Sequence, residues 1–244
     1  MKTLNIQIKG LLACLAVVLC TGCASQKTWV YHSNSYTPAT RNTGKSVAVL
    51  AYEDARENKN VNLVGLYVIP LMPFGWQNLN SPEGIQMHIT SGMWINYKPT
   101  EDYPKALAED LKKTGLFSDA FFDFRASASD YSVKGKIVNT QYRGTIISYG
   151  LSVYGPLLWI VGFPCGTSHN DLALELSLVD SKSNKVLFTK EYNATPHGNV
   201  SFLYYMANDF NYPEMLAEVN KQFCTDIQPI LLNAPSNSSE PKAP

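Results

Sequence analysis

Hydrophobic positions along this 244-residue chain fall into short segments of contrasting period. Residues 46–52, Ser-Val-Ala-Val-Leu-Ala-Tyr, form a β-rich apolar run closed by Glu53 and Asp54, which predicts a buried first strand. Over 102–114 the period becomes helical. Pro104 lies in the first turn, acids lead, Leu107, Ala108 and Leu111 share a face, and Gly115 supplies the stop. Residues 116–124, with Phe117, Phe121, Phe122 and Phe124, predict a turn into a second strand. Over 130–142, Tyr131, Val133 and Ile137 oppose Ser132, Lys134 and Lys136, the alternation of a half-buried strand. Residues 172–178 alternate around Leu172, Leu174, Leu176 and Leu178, a turn follows at 180–184, and 185–192 return, which predicts a hairpin. Pro213 opens a last helix to about residue 227, with Leu216, Val219, Phe223 and Ile227 on one stripe. This order predicts an α+β fold, a mixed β-sheet with helices packed on one face, interrupted by two apolar insertions near 58–99 and 144–168.

The insertions are the unusual part of the chain. Residues 61–76 hold Leu63, Val64, Leu66, Val68, Ile69, Leu71 and Phe74, and Pro70 and Pro73 argue against a spanning helix. Residues 144–168 contain no charge and are long enough to cross a bilayer, but Gly150, Gly155, Pro156, Gly162 and Pro164 interrupt any continuous helix. Irregular backbone in lipid would leave polar groups unpaired. Three arrangements stay open: packing on the domain or on another subunit, dipping into a membrane interface through Trp159 and Tyr154, or spanning. Large apolar patches mark interaction sites, so the insertions are read as one joint surface for membrane or partner contact. Its candidates are Leu66, Phe74, Trp76, Tyr154, Leu157, Leu158, Trp159 and Phe163. Replacing Leu158 and Trp159 with Ser is expected to disrupt that contact while leaving the fold.

The N-terminus carries an address. Residues 1–9 hold Lys2 and Lys9 and no acid, 10–19 are apolar, and Cys20-Thr21-Gly22-Cys23 closes the segment. This resembles a bacterial lipoprotein signal, which implies cleavage before Cys23 and lipidation of its sulfur with a diacylglycerol, completed by a fatty acyl chain such as palmitate. Cys20 stands where that pattern has an aliphatic residue. A secretory signal cleaved near Gly22 or Ala24, or an uncleaved anchor, are the alternatives. Two or more acyl chains, at about 0.8 kcal/mol per buried methylene, make attachment lasting. Ala24 after the cysteine, where an Asp would imply retention at the inner membrane, implies the outer membrane. The expected organisation is a signal at 1–22, a lipidated tether at 23–44, a single domain at 45–232 and a disordered tail at 233–244. As a flexible coil of about 20 residues, the tether would hold its ends roughly 25 Å apart, with Trp29, Val30 and Tyr31 as an edge strand within it.

Composition excludes more than it identifies. Charged residues make up 16% of the chain, below the roughly 25% of soluble domains. Removing Lys2 and Lys9 from 20 basic residues leaves 18 against 20 acidic ones, so no footprint for nucleic acid exists. Of five cysteines, Cys14 and Cys20 leave with the signal and Cys23 takes lipid. Cys165 and Cys224 remain, as a disulfide pair or as two packed core residues. A bridge would close a loop of about 60 residues and contribute roughly 4 kcal/mol. His32, His88, His169 and His197 lack metal-ligand spacing. No nucleophile elbow surrounds Ser168, and no phosphate-cradling or dinucleotide motif occurs. Glu53, Asp54 and Glu57 are read either as a cation or hydrolytic cluster or as a solvated strand exit. The expectation is a protein without cofactor, metal or enzymatic activity.

The 46–52 strand, the helix ending in Gly115-Leu116-Phe117, the Asp130-Tyr131-Ser132-Val133-Lys134-Gly135 strand and the 172–192 hairpin follow an order that resembles the periplasmic α/β domain of the curli-secretion lipoprotein CsgG and the N-terminal domain of TolB. The resemblance covers about residues 45–230 and implies no catalytic residues. With the N-terminal signal, it implies a lipid-anchored outer-membrane lipoprotein facing the periplasm. Such a protein would be a homo-oligomer or part of an envelope complex, as a structural or accessory subunit of an assembly or export system. The alternative is a periplasmic carrier holding an apolar ligand such as a lipid between the two insertions; an envelope hydrolase is a third reading.

Overall fold

A computed structural model describes residues 26–39, 41–84, 93–125 and 129–233. Cys23 and its signal lie outside these residues, as does the tail beyond Asn233. In chain order the elements are β1 (Gln26–Thr28), β2 (Ser46–Leu50), β3 (Glu53–Asp54), β4 (Asn60–Leu63), β5 (Phe74–Leu79), β6 (Met93–Ile95), α1 (Pro99–Thr114), β7 (Asp119–Asp123), β8 (Tyr131–Asn139), β9 (Tyr142–Ile147), α2 (Pro156–Ile160), β10 (Pro164–Asn170), β11 (Ala173–Asp180), β12 (Lys185–Asn193), β13 (His197–Phe202) and α3 (Tyr212–Leu232).

The first layer is a six-stranded sheet ordered β12-β11-β8-β2-β7, with β3 also paired to β8. β2 runs parallel to β7 and β8, whereas β8, β11 and β12 are antiparallel, so the sheet is mixed as the pattern predicts. Helices α1 and α3 pack on each other and on this sheet, burying Leu107, Leu111, Leu216, Val219, Phe223 and Ile227 against Val47, Val49, Val133 and Leu176. α1 starts at Pro99, earlier than the periodicity suggests, with Glu101 and Asp102 in its first turn and Lys112 and Lys113 in its last. These charges complement the helix dipole at both ends. Gly115, at φ 66°, takes the left-handed conformation that ends the helix, a backbone that costs a residue with a Cβ more than glycine.

Within the described residues both insertions contribute strands. β8 passes through Thr140 and Gln141 directly into β9, and β10 passes through Asp171 and Leu172 into β11. The amide of Asp171 donates to the carbonyl of Gln141 at 2.9 Å. One long hairpin thus pairs twice, and its far half nucleates a second, five-stranded sheet ordered β13-β10-β9-β5-β4. The first insertion supplies β4 and β5, the second β9, α2 and β10. No helix among the described residues is long and apolar enough to cross a membrane.

The expected tether is also revised. A strand forms at Gln26–Thr28, parallel to Met93–Ile95, three residues earlier than the run around Trp29 suggests. From there the segment lies on the domain: Trp29 stacks on Tyr97 at 5.2 Å, and Tyr31, Tyr36 and Ala39 pack on the core. Asp110 on α1, fully buried, holds it in place. Its carboxylate accepts hydrogen bonds from the Tyr31 hydroxyl, the Ser33 hydroxyl (2.5 Å), the Asn34 amide (3.0 Å) and Asn220 Nδ2 of α3 (2.9 Å). A buried charge is stable only when so paired, and here the pairing fastens the N-terminal segment to both helices.

Candidate interaction surface

The three stretches 60–82, 144–170 and 192–208, which supply strands to the second sheet, carry no Lys, Arg, Asp or Glu. The topology brings their connecting segments to one end of the second sheet. Phe74 at the start of β5 pairs with Ile147 at the end of β9, and Pro164 at the start of β10 pairs with Phe202 at the end of β13. The turns before β5, between β9 and β10 and after β13 therefore lie side by side. They expose Leu71 (88%), Val153, Tyr154 (68%), Leu157, Val161 (69%), Tyr204 (75%) and Tyr205 (72%).

Hydrogen bonds weld these segments. The Leu71 amide donates to Gly150 O at 3.0 Å, the amides of Ser148 and Tyr149 both donate to Pro73 O, and the Ser148 hydroxyl donates to Met72 O at 2.6 Å. The Ser152 hydroxyl donates to Val68 O, and the Tyr204 hydroxyl donates to Ile160 O at 3.1 Å. Leu71, Tyr149 and Ser152 have φ of 69°, 59° and 54°, a left-handed backbone that residues with a Cβ adopt at a cost. At Gly155 a Cβ would stand 2.7 Å from Ser148 Cα, so only glycine lets α2 approach this closely.

The sequence-derived contact residues divide. Tyr154, Leu157 and Phe163 are exposed at the apolar end, with Phe163 edge-on to Tyr149 at 5.7 Å. Phe74 is exposed, while Leu66, Trp76 and Leu158 are half-buried. Trp159 is corrected: it is only 8% exposed, packs with Ile146 and Cys165, and donates its indole N–H to Ile147 O at 2.8 Å. It supports the tip from beneath, so a Trp159→Ser change would damage the fold. Leu71, Val153 and Val161 lie in the insertions but outside the eight candidates, and Tyr204 and Tyr205 lie outside the insertions altogether. The charge-free run around Leu203-Tyr204-Tyr205-Met206 was the available signal for the last two.

Of the two readings of Cys165 and Cys224, the structure has the packed thiols and not the disulfide. Both thiols are free. Cys165 lies in the small cluster beneath the tip and Cys224 in the main core on α3, two separate apolar environments that leave each as a packed thiol.

Charged side chains gather elsewhere. A cleft of about 420 Å³ on the outer face of the second sheet is lined by Phe74, Trp76, Asn78, Arg143, Thr145 and His169, among others. At its edge Asp171 accepts from Arg143 at 2.8 Å and lies 3.2 Å from His169 Nε2. Two of the three acids after β2 are occupied: Asp54 pairs with Arg56 at 2.7 Å and Glu57 with Lys59 at 2.5 Å. The buried Arg56 guanidinium, which also pairs with Glu83, holds the Asp54 carboxyl below the usual carboxylate range. Among the described residues no group of three or more His, Cys, Asp or Glu side chains is placed to hold a metal.

No protein-family profile matches the sequence, and no curated protein matches it. Among solved structures, a DUF330-family protein from Xanthomonas campestris aligns over 84% of this chain and 96% of its own, at 11% identity and a TM-score of 0.45. A PelC dodecamer from Paraburkholderia phytofirmans aligns over 83% and 96%, at 10% identity and a TM-score of 0.34. A neuraminyllactose-binding hemagglutinin homolog from Helicobacter pylori aligns over 82% and 92%, at 10% identity and a TM-score of 0.37. At these identities and scores nothing about function passes from them to this chain.

Proposed function

We propose that this chain is a lipid-anchored envelope protein, facing the periplasm from the outer membrane. It works by attachment and contact as a structural or accessory subunit of an assembly or export system, not by catalysis. The observation that carries this reading is the uncharged end of the second sheet, to which three segments distant in sequence contribute exposed apolar side chains. Patches of this kind mark interaction surfaces. The lipoprotein-like segment ending at Cys23 and the resemblance to the CsgG and TolB domains support the compartment and the role. Several polar clusters are taken up by the fold. Asp110 fastens the N-terminal segment, Arg56 gathers Asp54 and Glu83, and Asp226 accepts from Lys190 and Tyr192.

Crosslinking in cells, followed by purification from membranes and intact-mass analysis, tests the proposal. The expected result is an acylated Cys23 and a crosslinked species larger than one chain. An unacylated monomer in the soluble fraction, with a hydrolytic activity abolished by Asp171→Asn, would overturn it.

A further inference from the structure

We propose that the occupant of the uncharged end is the interfacial layer of the lipid bilayer itself, entered by Leu71, Tyr154, Leu157, Val161, Tyr204 and Tyr205. The inference deepens the reading of Cys23 as the lipidated residue and rests on it. With residues 29–36 docked on the core, the leash between a lipid on Cys23 and the strand at Gln26 is three residues. At full extension this spans about 11 Å. A domain on so short a leash is held at the headgroups, not clear of them.

The chemistry of the tip agrees. With no Lys, Arg, Asp or Glu in the three segments, the surface offers no charge to a protein partner's rim. Its side chains stand on turn tips beyond the sheet, not in a groove. Tyrosines, with apolar rings and a polar hydroxyl, suit the boundary between headgroups and chains, and an interfacial element enters to a depth of about 5–10 Å.

The backbone carries the inference furthest. Irregular structure tolerates lipid only when its polar groups are paired. Here the amides of Leu71, Ser148, Tyr149, Leu151, Tyr154 and Phe163 all donate within the tip. Pro70, Pro73 and Pro156 carry no N–H at all. The strained backbone at Leu71 and Tyr149 holds two of those bonds in place.

The test uses the full chain purified from membranes and reconstituted into phosphatidylcholine–phosphatidylethanolamine vesicles. Leu157→Cys, Tyr204→Cys and, as control, Val186→Cys are each labelled with the environment-sensitive fluorophore NBD. Val186 is exposed on β12 near the 180–185 turn, opposite the second sheet. Brominated acyl chains are expected to quench the labels at 157 and 204 at least about twofold, to leave the label at 186 unchanged, and to act equally in 1 M salt. Unquenched labels at 157 and 204 on vesicle-bound protein, or efficient 157-to-157 crosslinking between copies without quenching, overturn the proposal. The mass of Cys23 separates the two readings. An acylated Cys23 with unquenched labels sinks the insertion alone; quenched labels on an unacylated chain sink the anchor alone; unquenched labels on an unacylated chain sink both.

Discussion

The amide of Leu71 donates to the carbonyl of Gly150 across 3.0 Å, and that bond joins the two apolar insertions into one surface. Around it, β5 pairs with β9, and the flanking turns meet at a common end. The stretches that look like interruptions of the fold supply strands to its second sheet, and the most exposed apolar residues, Leu71, Tyr204 and Tyr205, lie beyond the paired strands.

Buried and exposed members of this end should separate on mutation. Trp159→Ser removes an indole that fills the small cluster and donates to Ile147 O; a large-to-small change of this kind costs about 3–5 kcal/mol. Leu157→Ser, on the exposed side of α2, should change stability by no more than about 0.5 kcal/mol. Urea unfolding curves of the two variants would be compared, and equal losses would remove the distinction between support and contact.

Asp110 is expected to be the fastening point of the N-terminal segment. Tyr31→Phe deletes a hydrogen bond to a buried carboxylate and should cost about 1.5–3 kcal/mol. Asp110→Ala, which also strands Ser33 and Asn220, should cost more and open residues 26–39 to proteolysis. Limited digestion followed by mass spectrometry reads this directly, and an unchanged cleavage pattern would contradict the docked segment.

The core and its chemistry were unequally legible. Val47 and Val49 in β2, the Leu107–Leu111 face of α1 and the alternating Leu174, Leu176 and Leu178 of β11 show their periods openly, because each buries one face against a partner of fixed geometry. β10, Pro-Cys-Gly-Thr-Ser-His-Asn, has no apolar alternation and becomes a strand only because it extends the hairpin of β8 and β11. Trp29, Tyr31 and Tyr36 lie among Ser, Thr and Asn with no period, since they dock onto the helices side chain by side chain without forming an amphipathic element. The lack of charge in 144–168 could not separate Trp159, which the backbone turns inward, from Leu157, which it turns out.

The free thiols predict indifference to reductant. Burial pushes the Cys224 thiol up to about 12 and raises that of Cys165, so both should resist thiol reagents until the protein is unfolded in urea. Reductant should leave the urea midpoint unchanged. A bridge of this loop length would contribute roughly 4 kcal/mol, so a drop of that size on reduction would restore the disulfide.

Acid sensitivity has a local source at Asp54. Its folded pKa is lowered by Arg56, so its stabilising contribution is present above the ordinary carboxylate value of about 4 and is lost as pH falls through the lower folded value. The effect is modest because the Asp54 side chain is partly exposed and screened. Between pH 5 and 2, Asp54→Asn should lose less stability than the unchanged protein; parallel losses would assign the acid branch elsewhere.

Neutron reflectometry of the full chain on a supported bilayer tests the proposed membrane attachment most directly, because it measures how far the domain sits from lipid. The expected result is protein density continuous with the headgroups, entering them by about 5–10 Å, with no intervening water. A hydrated gap of roughly 25 Å, the span of a free coil of about 20 residues, would contradict the docked N-terminal segment and the membrane-facing end together.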